Sequence, residues 1–367
     1  MNKNLITIAI RHIERAEHLK RALAKFGIPS FIHQVSNEQK TVGDGVRVRI
    51  EEKDLSKALY VLDRLDKNPD EVFDRQPPAS EKGKHVILVP IDFSEYSIKA
   101  CETAFYIAHL WHVPVFLLHA YTFYTPIYVV GASVSTISEE MRKQTVQTNA
   151  DMNNLLNIIR KKMNTGEFPN VEFTHRIEEG IPENVILETV DKLKPAMVVM
   201  GTRGKDQKEE DLIGSVTAEV IEHCQSPVLA LPESVALDLS QCQHVLFATN
   251  FDDRTLVSLD RMMLLLGKFR LKLFFTHFEA RKDAWNEIKL AGIKTYFEQQ
   301  YPEIPTEYFV ISGEDLLTEF DGFISTHNIS IVVLNTHKRN LFARLFNPSI
   351  ARKMVFHAKN PILVFHT

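Results

Sequence analysis

Val198-Val199-Met200-Gly201-Thr202-Arg203-Gly204 runs out of an apolar segment into a glycine-bounded loop, and Gly214-Ser215 follows after nine residues. The apolar run Met197 to Met200 stops at a glycine, and an amphipathic segment opens with Ser215-Val216-Thr217. This reads as a buried strand, a flexible loop and a helix with Ser215 in its first turn. Such a geometry suits a phosphate. Glycines let backbone approach closely and take positive φ, and the first amides of a helix have no intrahelical partner.

Outward from this stretch, the chain repeats itself from His85 onward. His85-Val86-Ile87-Leu88-Val89-Pro90-Ile91-Asp92-Phe93 aligns with Gln243-His244-Val245-Leu246-Phe247-Ala248-Thr249-Asn250-Phe251, and Val115 to His119 aligns with Leu273 to His277 at the same offset of 158 residues. Glu178-Glu179-Gly180 corresponds to Ile311-Ser312-Gly313, and Met197 to Gly201 to Ile331 to Asn335. Both copies end alike, Ser226-Pro227-Val228-Leu229-Ala230 against Asn360-Pro361-Ile362-Leu363-Val364. Each copy reads β-α-β-α-β-α-β-α-β. Short apolar strands alternating with amphipathic helices predict an α/β fold with a parallel sheet covered on both faces.

The spacing Gly-x2-Gly-x9-Gly-Ser, set in this repeat, resembles the nucleotide-binding signature of ATP-binding universal stress proteins. Residues 85 to 367 resemble a tandem member of that family. The resemblance implies two doubly wound parallel five-stranded sheets of the adenine nucleotide alpha-hydrolase-like type, strand order 3-2-1-4-5, in domains spanning 85–234 and 235–367. It also implies that the copies pack as an intrachain pseudo-dimer through their last strands. Ligands of such sheets collect at the carboxyl ends of the strands, beside the switch between first and fourth strands. Asp92 ends the first strand and Gly201 the fourth, so a carboxylate and a phosphate loop come together. The nucleotide-binding set that the resemblance implies is Pro90, Asp92, Ala120, Gly201, Thr202, Arg203, Gly204, Gly214, Ser215 and Val216.

Each of these residues also has a plainer reading. Asp92 can accept ribose hydroxyls, help hold Mg2+ or serve as a helix-start acid. Ser94 reads as the N-cap of the next helix. Arg203 steadies a phosphate or is solvated. His119, matched by His277, reads as a structural strand-end histidine. Lys205 to Asp211 is acidic on balance and reads as a solvent-exposed lid. Tyr121 to Val134 is aromatic enough to cover a base, to touch another chain or to pack on its own domain.

The second copy keeps the scaffold and loses this chemistry. Asp92 becomes Asn250, and the glycine positions become Asn335, Lys338 and Pro348, with only Ser349 retained. Lysine and proline adopt glycine conformations only at a cost, and proline offers no amide. Lys338, Arg339, Arg344, Arg352 and Lys353, with Phe342 and Phe346, read as a solvated face around a defunct site rather than a nucleic-acid surface.

Residues 1–66 form a small unit of order βαββα, which suggests a ferredoxin-like α+β domain. Its strands are Leu5 to Ile10, Ser30 to Val35 and Val46 to Ile50. A helix with Ala16, Leu19, Leu23 and Phe26 on one side ends at Gly27, its expected C-cap. Asp54 opens a second helix carrying Leu59, Val61, Leu62 and Leu65. Val46-Arg47-Val48 with Glu51-Glu52-Lys53-Asp54 resembles a small bacterial domain connected with signal transduction. Residues 67–84, with Pro69, Pro77, Pro78, Ser80 and Gly83 among charges, read as a linker.

Composition narrows the function classes. The 367 residues are 44% hydrophobic and 25% charged with a net charge of −4, as in an ordinary globular protein with no electrostatic call for nucleic acid or an acidic membrane. Three scattered cysteines and no evident signal peptide predict a cytoplasmic location. Tyr106 to Tyr124 is the most apolar long stretch, but His109, His112, Pro114 and His119 interrupt it, so no membrane span is expected. No Gly-x4-Gly-Lys P-loop, Gly-x-Gly-x-x-Gly turn, Gly-x-Ser-x-Gly elbow or His-x-Gly-His motif occurs. The expected function is a regulatory stress-response module that binds one adenine nucleotide (ATP, or AMP or ADP, with or without Mg2+) in the first repeat and answers to a protein partner. A homodimer is compatible with this reading. A slow Mg-dependent ATPase and a nucleotide-independent scaffold remain alternatives, and no residue is assigned a catalytic role.

Overall fold

The computed structural model describes residues 5–34, 45–51, 86–123, 134–203, 214–232, 243–249, 270–279, 282–313, 315–336 and 360–366, with single positions at 54, 58, 61, 259, 262, 263, 265 and 266. The chain divides into two compact units. One comprises residues 1–83 with Phe251–Lys268 and Thr367, and the other Lys84–Asn250 with Phe269–His366.

In the first unit, β1 (Leu5–His12), α1 (Ile13–Lys25), β2 (Ser30–Gln34) and β3 (Gly45–Glu51) form an antiparallel sheet of order β1-β3-β2 backed by a helix. β3 alternates, with Val46, Val48 and Ile50 inward against Ala16, Leu19, Ala22 and Leu23 of α1. A register shift between Thr7 and Ala9 lets the consecutive residues Ile8 and Ala9 both reach this core. α1 ends where expected. Gly27 takes φ +69, and the Ile28 amide bonds back to the Leu23 carbonyl, satisfying an orphan helix acceptor. The second helix is described only at Ala58 and Val61, both fully buried in the same core. Leu59, Leu62 and Leu65 lie outside the described residues.

The second unit holds β4 (Ile87–Pro90), α2 (Glu95–Trp111), β5 (Val115–Tyr121), α3 (Val134–Thr165), β6 (Phe173–Glu179), α4 (Pro182–Leu193), β7 (Met197–Gly201), α5 (Ser215–His223) and β8 (Val228–Leu231). A second set follows: β9 (His244–Ala248), β10 (Lys272–Glu279), α6 (Ala284–Gln300), β11 (Thr306–Ser312), α7 (Leu316–Thr326), β12 (Ile331–Thr336) and β13 (Ile362–His366). All ten strands form one sheet of order β11-β10-β9-β12-β13-β8-β7-β4-β5-β6. Each half therefore has the order 3-2-1-4-5, with parallel neighbours. The halves join where β8 and β13 pair antiparallel, Ala230 opposite Ile362 and Val228 opposite Val364.

Burial on both sheet faces explains the unbroken apolar runs. Leu88, Leu118, Val198, Leu246, Phe274, Val332 and Val364 share one core with α4, α5 and α7. Their neighbours Ile87, Val89, Leu117, Val199, Phe247, Phe275, Val333 and Phe365 are equally buried. Alternating polarity would leave one face wet; in the inner strands neither face is, while the edge strands β6 and β11 are more exposed.

Candidate functional site: the switch between β4 and β7

β4 and β7 are neighbours where the strand order of the first repeat reverses. Their ladder is made at Ile87–Met197 and Leu88–Val198 and does not continue beyond them. The cause is Pro90. Amide direction alternates along a strand, and the Ile87 and Ile91 amides both donate toward β5, to the Pro114 and Leu118 carbonyls. Position 90 would donate toward β7, and proline has no N–H to give. The ladder thus stops at the carboxyl end of the sheet, beside the switch-point crevice where doubly wound folds take ligands.

Three chain segments border this crevice. In the first, Ile91 to Ser97, the Asp92 carboxylate accepts from the Ser94 amide (3.0 Å) and the Ser94 hydroxyl (2.6 Å) through one oxygen. Ser94 caps α2 by accepting from the Ser97 amide, as expected from the sequence. Phe93 sits between them at φ +64, a backbone region that a bulky residue enters only at a cost.

The second segment is the end of β7. Gly201 is buried, and a Cβ placed there would lie 2.6 Å from the Tyr96 Cβ. The missing side chain thus seats the first turn of α2 against the strand. Thr202 is buried with its amide bonded to the Leu231 carbonyl, and half-buried Arg203 is the last residue described before the loop. Gly204 and Lys205 to Asp211 lie outside the described residues.

The third segment is the start of α5. The Gly214 amide donates to the Thr202 carbonyl at 2.7 Å, so the loop departs and returns at one point. Gly214 is the N-cap, in extended conformation and without any side-chain capping bond. α2 has a serine in that place, so the first amides of α5 lack the side-chain oxygen that satisfies those of α2. Thr217 donates to the Gly201 carbonyl at 2.8 Å, tying helix to strand, while Ser215 is exposed and Val216 half-buried. Ala120, half-buried on β5 opposite Glu178, stands two residues beyond Leu118, whose carbonyl faces Ile91, so its backbone groups point to the β4 side. Sequence reasoning missed Tyr96 and Thr217, for which only the general small-residue and hydroxyl pattern offered a signal.

A profile of the universal stress protein family matches residues 84–232. The universal stress protein of Methanothermobacter thermautotrophicus is 30% identical over 102 residues, 26% of this chain and 67% of that protein. One from Methanocaldococcus jannaschii is 26% identical over 179 residues, 48% of this chain and 92% of that protein. Mycobacterial relatives align over 58% of their own length. A universal stress protein structure from Archaeoglobus fulgidus, 15% identical, covers 77% of this chain and 98% of its own with a TM-score of 0.53. This chain belongs to the universal stress protein family.

In the second repeat of this universal stress protein the corresponding ladder is longer. Ala248 stands where Pro90 does in the first, and β9 pairs with β12 from Val245–Ile331 through Ala248–Leu334. At the end of β10, buried Glu279 accepts from the Asp283 amide (3.1 Å), the Ser312 hydroxyl (2.9 Å) and Asn286. Asn335 continues β12 opposite Phe365. Asn250, Lys338, Pro348, Ser349 and the basic residues from Arg339 to Lys353 lie outside the described residues. No group of three His, Cys, Asp or Glu able to hold a metal ion occurs among the described residues, and no described helix is long and apolar enough to cross a membrane. Burial pushes the Cys101 and Cys224 thiols up to about 12, which leaves neither as a ready nucleophile.

Proposed function

We propose that the first repeat binds one adenine nucleotide, ATP in the leading reading, and that occupancy regulates a partner-facing surface while the second repeat is architectural. The observation that carries this is the start of α5. A nine-residue helix begins at the switch-point crevice behind a glycine N-cap that supplies no capping oxygen. A phosphate there would accept from the first-turn amides and meet the positive end of the helix dipole. The donor set fits that group: with the Gly214 amide taken by the Thr202 carbonyl, Ser215 and Val216 offer the first-turn amides, the Ser215 hydroxyl is exposed, and Arg203 stands at the start of the loop. Asp92 keeps a carboxylate at the facing strand end, suited to ribose hydroxyls or to Mg2+ beside the phosphates. Ala120 offers backbone for the base edge. Pro90 interrupts the ladder beside the switch point, and its replacement by alanine in the second repeat fits a copy that binds nothing in this manner.

The test is extraction of nucleotide from freshly purified protein by denaturation and anion exchange, with the Gly214→Val variant alongside. One adenine nucleotide per chain, lost in the variant, is the expected result. Protein that is empty and also takes up no added ATP with magnesium would remove the reading and leave a scaffold.

A further inference from the structure

The segment that carries Asp92 is held by a side chain outside the set that the family resemblance implies. The Nδ1 atom of His119, buried on β5, lies 2.6 Å from the Ile91 carbonyl oxygen. A carbonyl only accepts, so Nδ1 carries the proton. Ile91 also donates its amide to the Leu118 carbonyl at 2.8 Å, and both of its backbone groups are thereby tied to β5. The peptide unit joining Ile91 to Asp92 is clamped at its other end too, since the Asp92 amide points at the Ser97 hydroxyl, 3.4 Å away. A planar peptide held at both O and N–H has no rotation left. The His119 ring further packs 4.5 Å from the ring of Phe93, the residue in the left-handed region. The two residues that flank Asp92 thus rest on one imidazole.

The second repeat repeats the clasp without the site. His277 Nδ1 lies 2.7 Å from the Thr249 carbonyl, and the two partners are 28 residues apart in each repeat. There the residue that follows is Asn250 rather than aspartate. The internal copy therefore separates the mechanical role of the histidine from the use made of it.

We propose that His119 is the positioning residue of the first-repeat site: through the Ile91 carbonyl it sets the peptide plane that aims Asp92 into the crevice, without itself touching the nucleotide. This rests on the nucleotide reading of that site. Loss of the donor leaves the carbonyl unsatisfied or lets the peptide turn over, and either outcome moves the carboxylate.

The decisive comparison is between His119→Asn and His119→Leu, which match in shape but differ in the donor. Asparagine can present an amide N–H where Nδ1 stood, and leucine cannot. ATP affinity is expected within about threefold of wild type for asparagine and about tenfold or more weaker for leucine, the scale of one orphaned buried acceptor. Amide hydrogen exchange of residues 91–97, measured without nucleotide, should quicken in the leucine variant alone. His277→Leu should leave ATP affinity unchanged. Equal affinities and equal exchange in the two His119 variants would overturn the proposal, as would an equal loss in His277→Leu. If wild-type protein binds no nucleotide, the functional reading has failed, and the exchange comparison still decides whether the clasp orders the Asp92 segment.

Discussion

Replacing Gly201 by alanine tests whether this glycine seats a helix or serves only a loop. The added Cβ would lie 2.6 Å from the Tyr96 Cβ, 3.0 Å from its carbonyl carbon and 3.2 Å from its carbonyl oxygen. These are atoms at the root of a side chain and in the backbone, so no rotamer change relieves them. Relief requires moving the first turn of α2 outward by roughly 1 Å to restore ordinary contact distances. α2 cannot slide freely, because Ala100, Cys101, Ala104, Phe105 and Ala108 are buried along its length. Overpacking of this kind costs about 1–3 kcal/mol, which for a unit of this size lowers the melting temperature by roughly 3–10 °C. Thermal unfolding followed by circular dichroism measures it. Tyr96→Gly removes the nearest of the three atoms, and the double variant should recover part of the loss, a coupling that a double-mutant cycle reads directly. A Gly201→Ala protein melting within about 1 °C of wild type would refute the packing argument. Lost ATP binding at unchanged stability would assign Gly201 to the ligand instead.

Two further outcomes follow from the same geometry. Pro90→Ala restores a donor facing β7, so the new amide at position 90 should be protected from hydrogen exchange and the ladder should extend, with ATP affinity falling while stability holds or rises; if that amide exchanges like one in a loop, proline is not what ends the ladder. Burial lowers the imidazole pKa of both His119 and His277 below the ordinary 6.5, against the Ile91 and Thr249 carbonyl bonds and nearby carboxylates, which raise it. A depressed histidine binds its proton more readily unfolded than folded, so its contribution is intact above pH 6.5 and is lost as pH falls from there toward the folded value. Melting temperature should therefore decline on acidification below that point, and the decline should be shallower in a His119→Asn, His277→Asn double variant; identical slopes would contradict the assignment.

The local signals proved readable where chain neighbours decide the structure. The C-cap at Gly27 and the N-cap at Ser94 each depend on residues within a few positions, and both stand as expected. The Gly201 contact was not readable in this way. A glycine before a loop suggests backbone freedom, yet its use here is space for Tyr96, which comes from another element. Asp92 shows the mixed case: it lies at the predicted strand end, but one of its oxygens is already engaged by Ser94.

By itself the sequence determined the doubled α/β pattern, because two-sided burial demands continuous apolar runs at recurrent spacing, and it placed Asp92 and the glycine-bounded loop at strand ends. Tertiary structure decided which strand faces each backbone donor. Only that makes the proline at position 90 end the ladder where Ala248 continues it, and only that turns His119 from a strand-end residue into the clasp on Ile91. Both effects depend on hydrogen-bond direction between strands that are distant in the chain, a quantity that residue spacing along one strand does not carry.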